Sequence, residues 1–251
     1  MKQLFIILTI FLLFGCDKNS ESAFSADPNA VGGAGRGGSL ARFTVVGNYL
    51  YAVDKENLKV FNISNPAQPV FTRTVPVGFE IETIYPFKDK LFIGSTSVVH
   101  IFSITDPANP QKLSVAISPT VLRRCDPVVA KDTVAYATLR TNSECGGTQS
   151  ILAVYDIKDV LNPVQRNALP VSEPYGLGYA DNTLYVSDRV QGIMVFDITQ
   201  AYNPVLVRTV GNVQPVDVIP YGDILIVWTH IGMNLYDISN RQNPVLVTQI
   251  N

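Results

Sequence analysis

One five-residue phrase occurs five times along the chain, and any fold has to accommodate all five copies. The copies are Val60-Phe61-Asn62-Ile63-Ser64, Ile101-Phe102-Ser103-Ile104-Thr105, Val154-Tyr155-Asp156-Ile157-Lys158, Val195-Phe196-Asp197-Ile198-Thr199 and Leu235-Tyr236-Asp237-Ile238-Ser239. Each is followed at a fixed offset by a proline, Pro69, Pro110, Pro163, Pro204 or Pro244. The period is about 40 residues, lengthened by about 12 in the third copy, which is the length of one supersecondary unit. Such a unit cannot bury its apolar surface alone and does so against its neighbours.

Within the fourth copy the pattern predicts strands over Tyr175 to Tyr179, Thr183 to Ser187, Ile193 to Ile198 and Val205 to Val210, separated by turn residues. No segment carries a sustained helical period, so the expected class is all-β. Second and third strands are apolar at both parities, as in Ile224-Leu225-Ile226-Val227-Trp228, which requires cover on both sheet faces. The fourth strand mixes in charge, as in Val70-Phe71-Thr72-Arg73-Thr74-Val75, and starts at a proline, which suits a sheet edge. Four-stranded antiparallel sheets covered on both faces, with the last strand outermost, are propeller blades, and five of them account for the chain from Leu40 onward. Closure of the ring is expected to rest on apolar contact between the first and fifth blades. An open stack of the same sheets is the alternative, and it would leave two apolar end faces bare.

The phrases Gly47-Asn48-Tyr49-Leu50-Tyr51-Ala52-Val53 and Asp237-Ile238-Ser239-Asn240-Arg241-Gln242-Asn243-Pro244-Val245-Leu246-Val247 resemble the LVIVD repeat family, propeller-like proteins of bacteria and archaea. The resemblance runs from about Leu40 to Asn251. It implies the propeller fold and carries no shared catalytic site.

Ahead of the repeats, Lys2 and an apolar run from Leu4 to Phe14 match a secretory leader and fall short of the ~20 residues of a membrane span. Leu13-Phe14-Gly15-Cys16 resembles the bacterial lipobox. That resemblance implies cleavage before Cys16 and acylation of its thiol and amine, giving the two or more chains that stable anchoring needs. The expected organisation is a signal peptide at 1–15, a lipidated flexible tether at 16–39 and the propeller at 40–251. The Ser- and Gly-rich tether would span roughly 25 Å as a random coil. The expected address is the bacterial outer membrane, facing the periplasm or the cell surface.

With 19 Lys and Arg against 21 Asp and Glu, the net charge is −2, and no basic run offers a nucleic-acid surface. Asp156, Asp197 and Asp237 stand at strand ends before turns, where carboxylates cap backbone donors. Cys125 and Cys145 are a candidate disulfide in an oxidising compartment, closing a loop worth roughly 3 kcal/mol. Their loops emerge on one face, where first strands begin and second strands turn into third strands. The same loops gather Arg42, Glu82, Arg123, Asp126, Glu173, Tyr175, Arg189, Asp217, Trp228 and His230 as a candidate binding face. The insertion from Leu139 to Ser150 lies there too, and long loops on a rigid scaffold favour recognition.

No nucleophile motif, metal-protease motif or nucleotide fingerprint is present, and neither cofactor nor metal is expected. The expected function is that of a non-enzymatic, membrane-anchored binding module for a protein or glycan. Two alternatives stand beside it. One is an exported hydrolase or lyase using Glu82, Asp126, Glu173 and Asp217 as an acidic mouth. The other is a structural component of an envelope complex.

Overall fold

The computed structural model describes residues 38–119, 127–141 and 149–250, all within one compact unit, Gly32–Asn251. The described residues form twenty strands in five antiparallel sheets. The first blade holds β1 (Phe43–Val46), β2 (Tyr49–Val53), β3 (Asn57–Asn62) and β4 (Val70–Pro76). The second holds β5 (Ile81–Phe87), β6 (Lys90–Ser95), β7 (Val99–Ser103) and β8 (Gln111–Ala116). The third holds β9 (Val128–Lys131), β10 (Val134–Leu139), β11 (Ser150–Asp156) and β12 (Val164–Val171). The fourth holds β13 (Pro174–Ala180), β14 (Thr183–Asp188), β15 (Gly192–Asp197) and β16 (Val205–Val210). The fifth holds β17 (Pro215–Tyr221), β18 (Ile224–Thr229), β19 (Gly232–Asp237) and β20 (Val245–Ile250). Strands pair in chain order within each sheet, so every blade is a four-stranded meander.

First and second strands join through two-residue turns whose first residue has a positive φ: Gly47, Lys88, Asp132, Asp181 and Gly222. Third strands end in caps of the expected kind. Asn62, Asp156, Asp197 and Asp237 accept from the backbone N–H two residues on, at 2.7 to 3.0 Å, and Ser103 does so through its hydroxyl at 3.3 Å. Outer strands β4, β16 and β20 are almost wholly exposed, as the charged fourth-strand pattern requires.

Apolar clusters join blade one to two, two to three, three to four and four to five. A second tie recurs at these joints. Tyr51, Tyr136 and Tyr185 occupy the third position of their second strands, and each donates its hydroxyl to a carbonyl of the next blade: Pro107, Ala201 and Arg241, at 2.7 to 2.8 Å. Each acceptor lies three residues before the repeat proline. The second blade has Phe92 at the tyrosine position, and there Ser114 donates to the matching carbonyl, that of Val160.

The expected closing contact is corrected: no apolar cluster among the described residues joins blade five to blade one. Second and third strands are covered on both faces in blades two to four, but alternate between buried and partly exposed in blades one and five. The sides of the first and fifth blades that no neighbouring blade covers are partly exposed, most of all at Phe43 and Trp228, and the tie between these two blades runs instead through Ser39, which lies ahead of β1 and donates to Asp217 of β17.

Candidate functional site

The loops where first strands begin bring together six side chains from the first four blades. Arg42, just before β1, donates from Nη2 to the Ile81 carbonyl at 2.9 Å and from Nε to the Glu82 carbonyl at 3.2 Å. Glu82 lies in β5, where burial pushes its carboxyl up while the charges of Arg140 and Arg42 oppose the rise. Arg140, just past β10, stacks its guanidinium 3.8 Å from the centre of the Tyr175 ring. Thr138 of β10 fixes the backbone beneath, donating to the Tyr175 carbonyl at 2.6 Å. Arg189 donates to the Tyr175 hydroxyl at 3.3 Å and pairs with Glu173 at 3.8 Å. The cluster alternates guanidinium, carboxylate and ring, and its planar donor forks suit carboxylate or phosphate groups of a ligand. Arg140 was not visible as a candidate in the sequence, although its place at the start of the long connection is the signal that marks it.

Asp217 does not stand at this mouth. It lies within β17, 4% exposed, and the expectation of a rim carboxylate is corrected. Its Oδ1 accepts from Ser39 Oγ at 3.4 Å and from the Val218 N–H at 2.9 Å, and the Leu40 N–H also donates to the carboxylate. Ser39 Oγ in turn accepts from the Leu177 N–H at 2.7 Å. Glycine is required on both sides: a Cβ on Gly38 or on Gly176 would come within 1.9 Å of a carboxylate oxygen. Burial pushes the Asp217 carboxyl up to about 7. The segment ahead of β1 is thereby fastened to blades four and five.

Trp228 and His230 also lie apart from the cluster. Trp228 projects from a side face of β18 and is 60% exposed. His230 lines a separate cleft of about 210 Å³ with Asn212, Thr229 and Gln249 among its other walls. Arg123, Asp126, Cys125, Cys145 and Cys16 fall outside the described residues, as does most of the Leu139 to Ser150 insertion. His100 is buried in β7, as a packing residue would be, and burial beside Lys112 lowers its imidazole to about 4.

The opposite face holds a feature that sequence reasoning missed. First strands β5, β9, β13 and β17, with Gly38 and Ser39, enclose an axial cavity of about 670 Å³. It is walled by Tyr85, Phe87, Tyr179 and Pro220 and rimmed by the turns at Lys88, Asp132, Asp181 and Gly222. Its charges are largely matched: Lys131 pairs with Asp132 at 2.8 Å, and Arg241 with Asp181 at 2.8 Å and Asp223 at 2.9 Å. Among the described residues no three His, Cys, Asp or Glu side chains gather to hold a metal ion.

No curated protein matches this chain. Solved structures do, at identities that speak for the fold alone. A functionally unknown protein from Desulfotomaculum acetoxidans is 13% identical, with a TM-score of 0.63 over 81% of this chain and 68% of its own. The computationally designed Ika8 protein is 13% identical, with a TM-score of 0.60 over 83% of this chain and 60% of its own. A hypothetical selenium-binding protein from Sulfolobus tokodaii is 13% identical, with a TM-score of 0.55 over 81% of this chain and 59% of its own. The chain thus spans about three fifths to two thirds of the length of these structures. The fold is a β-propeller, and residues 37–76, which contain the whole first blade, match the LVIVD repeat family.

Proposed function

We propose that this protein is an exported, lipid-anchored binding module of the bacterial envelope, engaging a protein or glycan partner through the face that carries Arg42, Arg140 and Arg189 and catalysing no reaction. The observation that supports this reading is the guanidinium, carboxylate and tyrosine cluster at the mouth. Its carboxylates, Glu82 and Glu173, each stand beside arginine charge. Its arginines and Tyr175 are held from several blades at once, so their spacing is set by the scaffold. Such a surface fits an acidic partner, either a uronic-acid glycan or an acidic peptide. The hydrolase alternative draws less support, because Asp217 is enclosed by Gly38, Ser39 and Gly176 and not available to a shared acidic mouth.

The test is binding of the Asp17–Asn251 protein to an array of acidic polysaccharides and acidic peptides. Arg140→Ala and Arg189→Ala are each expected to weaken the captured ligand at least tenfold, about 1.4 kcal/mol. Undiminished binding by both variants, or sugar turnover that disappears in Glu82→Gln, would remove the reading. The anchor is checked separately: Cys16→Ser is expected to move the protein from the membrane pellet to the soluble fraction.

A further inference from the structure

The exposed sides of the first and fifth blades are halves of a joint that the chain builds four times. Strand register places Phe43 at the position held by Ile84, Val128, Leu177 and Val218 in the later blades. Those four are 0%, 1%, 0% and 0% exposed, each against the blade before it, and Phe43 is 63% exposed. At the other end, Met233 stands where Leu58, Val99, Leu152 and Ile193 stand, and these are 0%, 2%, 0% and 0% exposed against the blade that follows. Met233 is 42% exposed, and its cross-strand partner Trp228, at a position taken by buried Thr138 and Ser187 in blades three and four, is 60% exposed.

We propose that the fifth blade of one molecule docks on the first blade of a second copy, head to tail. The occupant follows from the repeats themselves: at every internal joint the face bearing the Met233 position is covered by the face bearing the Phe43 position of the next copy. Both members of that pair are exposed on each molecule, Phe43 on the first blade and Met233 on the fifth. The fifth copy also has Ile226 at the tyrosine position of the first, third and fourth, so this joint rests on apolar contact without the hydroxyl tie. A contact between unlike faces is heterologous, and it yields a ring or an open chain according to the rotation it imposes. The proposal is independent of the mouth and of any partner bound there.

The experiment uses Asp17–Asn251 and two variants that place charge at exposed positions, Phe43→Glu and Trp228→Glu, with Met233→Glu as a second change to the fifth-blade face. Sedimentation velocity is expected to show wild-type assemblies that dissociate on dilution, and monomers for each variant alone. An equimolar mixture of Phe43→Glu and Trp228→Glu retains one intact face of each kind, so it is expected to form two-chain species and nothing larger. The chain has one tryptophan, so only the Phe43→Glu partner emits from indole, and its emission is expected to shift to shorter wavelength on mixing. A wild-type protein that stays monomeric overturns the proposal. So does a single variant that assembles as wild type does, or a mixture that fails to pair while both variants keep their strand circular dichroism and cooperative melting.

Discussion

Asp217 is held between two glycines and three donors, with its carboxyl raised to about 7 by burial. A carboxyl raised in the folded state binds a proton that the unfolded chain has released. The stability it lends is therefore full below its unfolded value near 3.8 and is lost as pH rises toward 7. At about 1.4 kcal/mol per tenfold change in proton affinity, the full loss is on the order of 4 kcal/mol. His100 acts in the opposite sense: its imidazole is lowered to about 4, so its contribution is lost as pH falls from 6.5 through 4. Comparing wild type with Asp217→Asn cancels the histidine, since both proteins carry it. Denaturant titrations at steps between pH 4 and 8 are expected to show the variant gaining on wild type up to about pH 7, with a constant gap above. Parallel curves would mean that Asp217 is solvated. None of this was readable beforehand, because Ser39 reaches the carboxylate from 178 residues away in sequence. The caps at Asp156, Asp197 and Asp237 were readable, since their donors lie two residues on.

Between elements, the tyrosine tie sets how neighbouring blades register. Tyr185→Phe leaves the Arg241 carbonyl without its donor in a half-buried joint, and the expected loss is about 1–2 kcal/mol in chemical denaturation. Tyr51→Phe and Tyr136→Phe are expected to cost about the same. The second joint supplies an internal control, for there Phe92 is tolerated because Ser114 serves the Val160 carbonyl. Phe92→Tyr is accordingly expected to gain nothing in the same titrations, its acceptor being occupied. Donor and acceptor stand 56 to 65 residues apart, so the pairing hides from any scan for local motifs. Strand order, turns and the edge character of fourth strands were legible, because each depends on neighbours within a single copy.

For the molecule as a whole, cover is uneven: three blades are packed on both faces and two on one. Hydrogen exchange is expected to be slowest in β10, β11, β14 and β15 and faster in β2, β3, β18 and β19, with peptide-resolved mass spectrometry as the measurement. Uniform protection would show that the end faces are covered in solution by something that holds them as firmly as a blade. Apolar residues at both parities of Ile224-Leu225-Ile226-Val227-Trp228 promised two buried faces, and that promise concerns how much surface must be covered, not which molecule covers it. Counted with the connection between second and third strands, Trp228 falls at the mouth. In the fold it belongs to the side of the last blade, because the register of β18 against β19 pairs it with Met233.

The hydroxyl ties run from one copy to its successor and never within a copy, which gives the chain a modular seam. Excising the fourth copy whole would bring Tyr136 opposite the Arg241 carbonyl, restoring at the new junction the same donor and acceptor that the deletion removed. A gene built this way tolerates gain or loss of complete units far better than changes inside one, and blade number becomes a quantity that duplication can adjust.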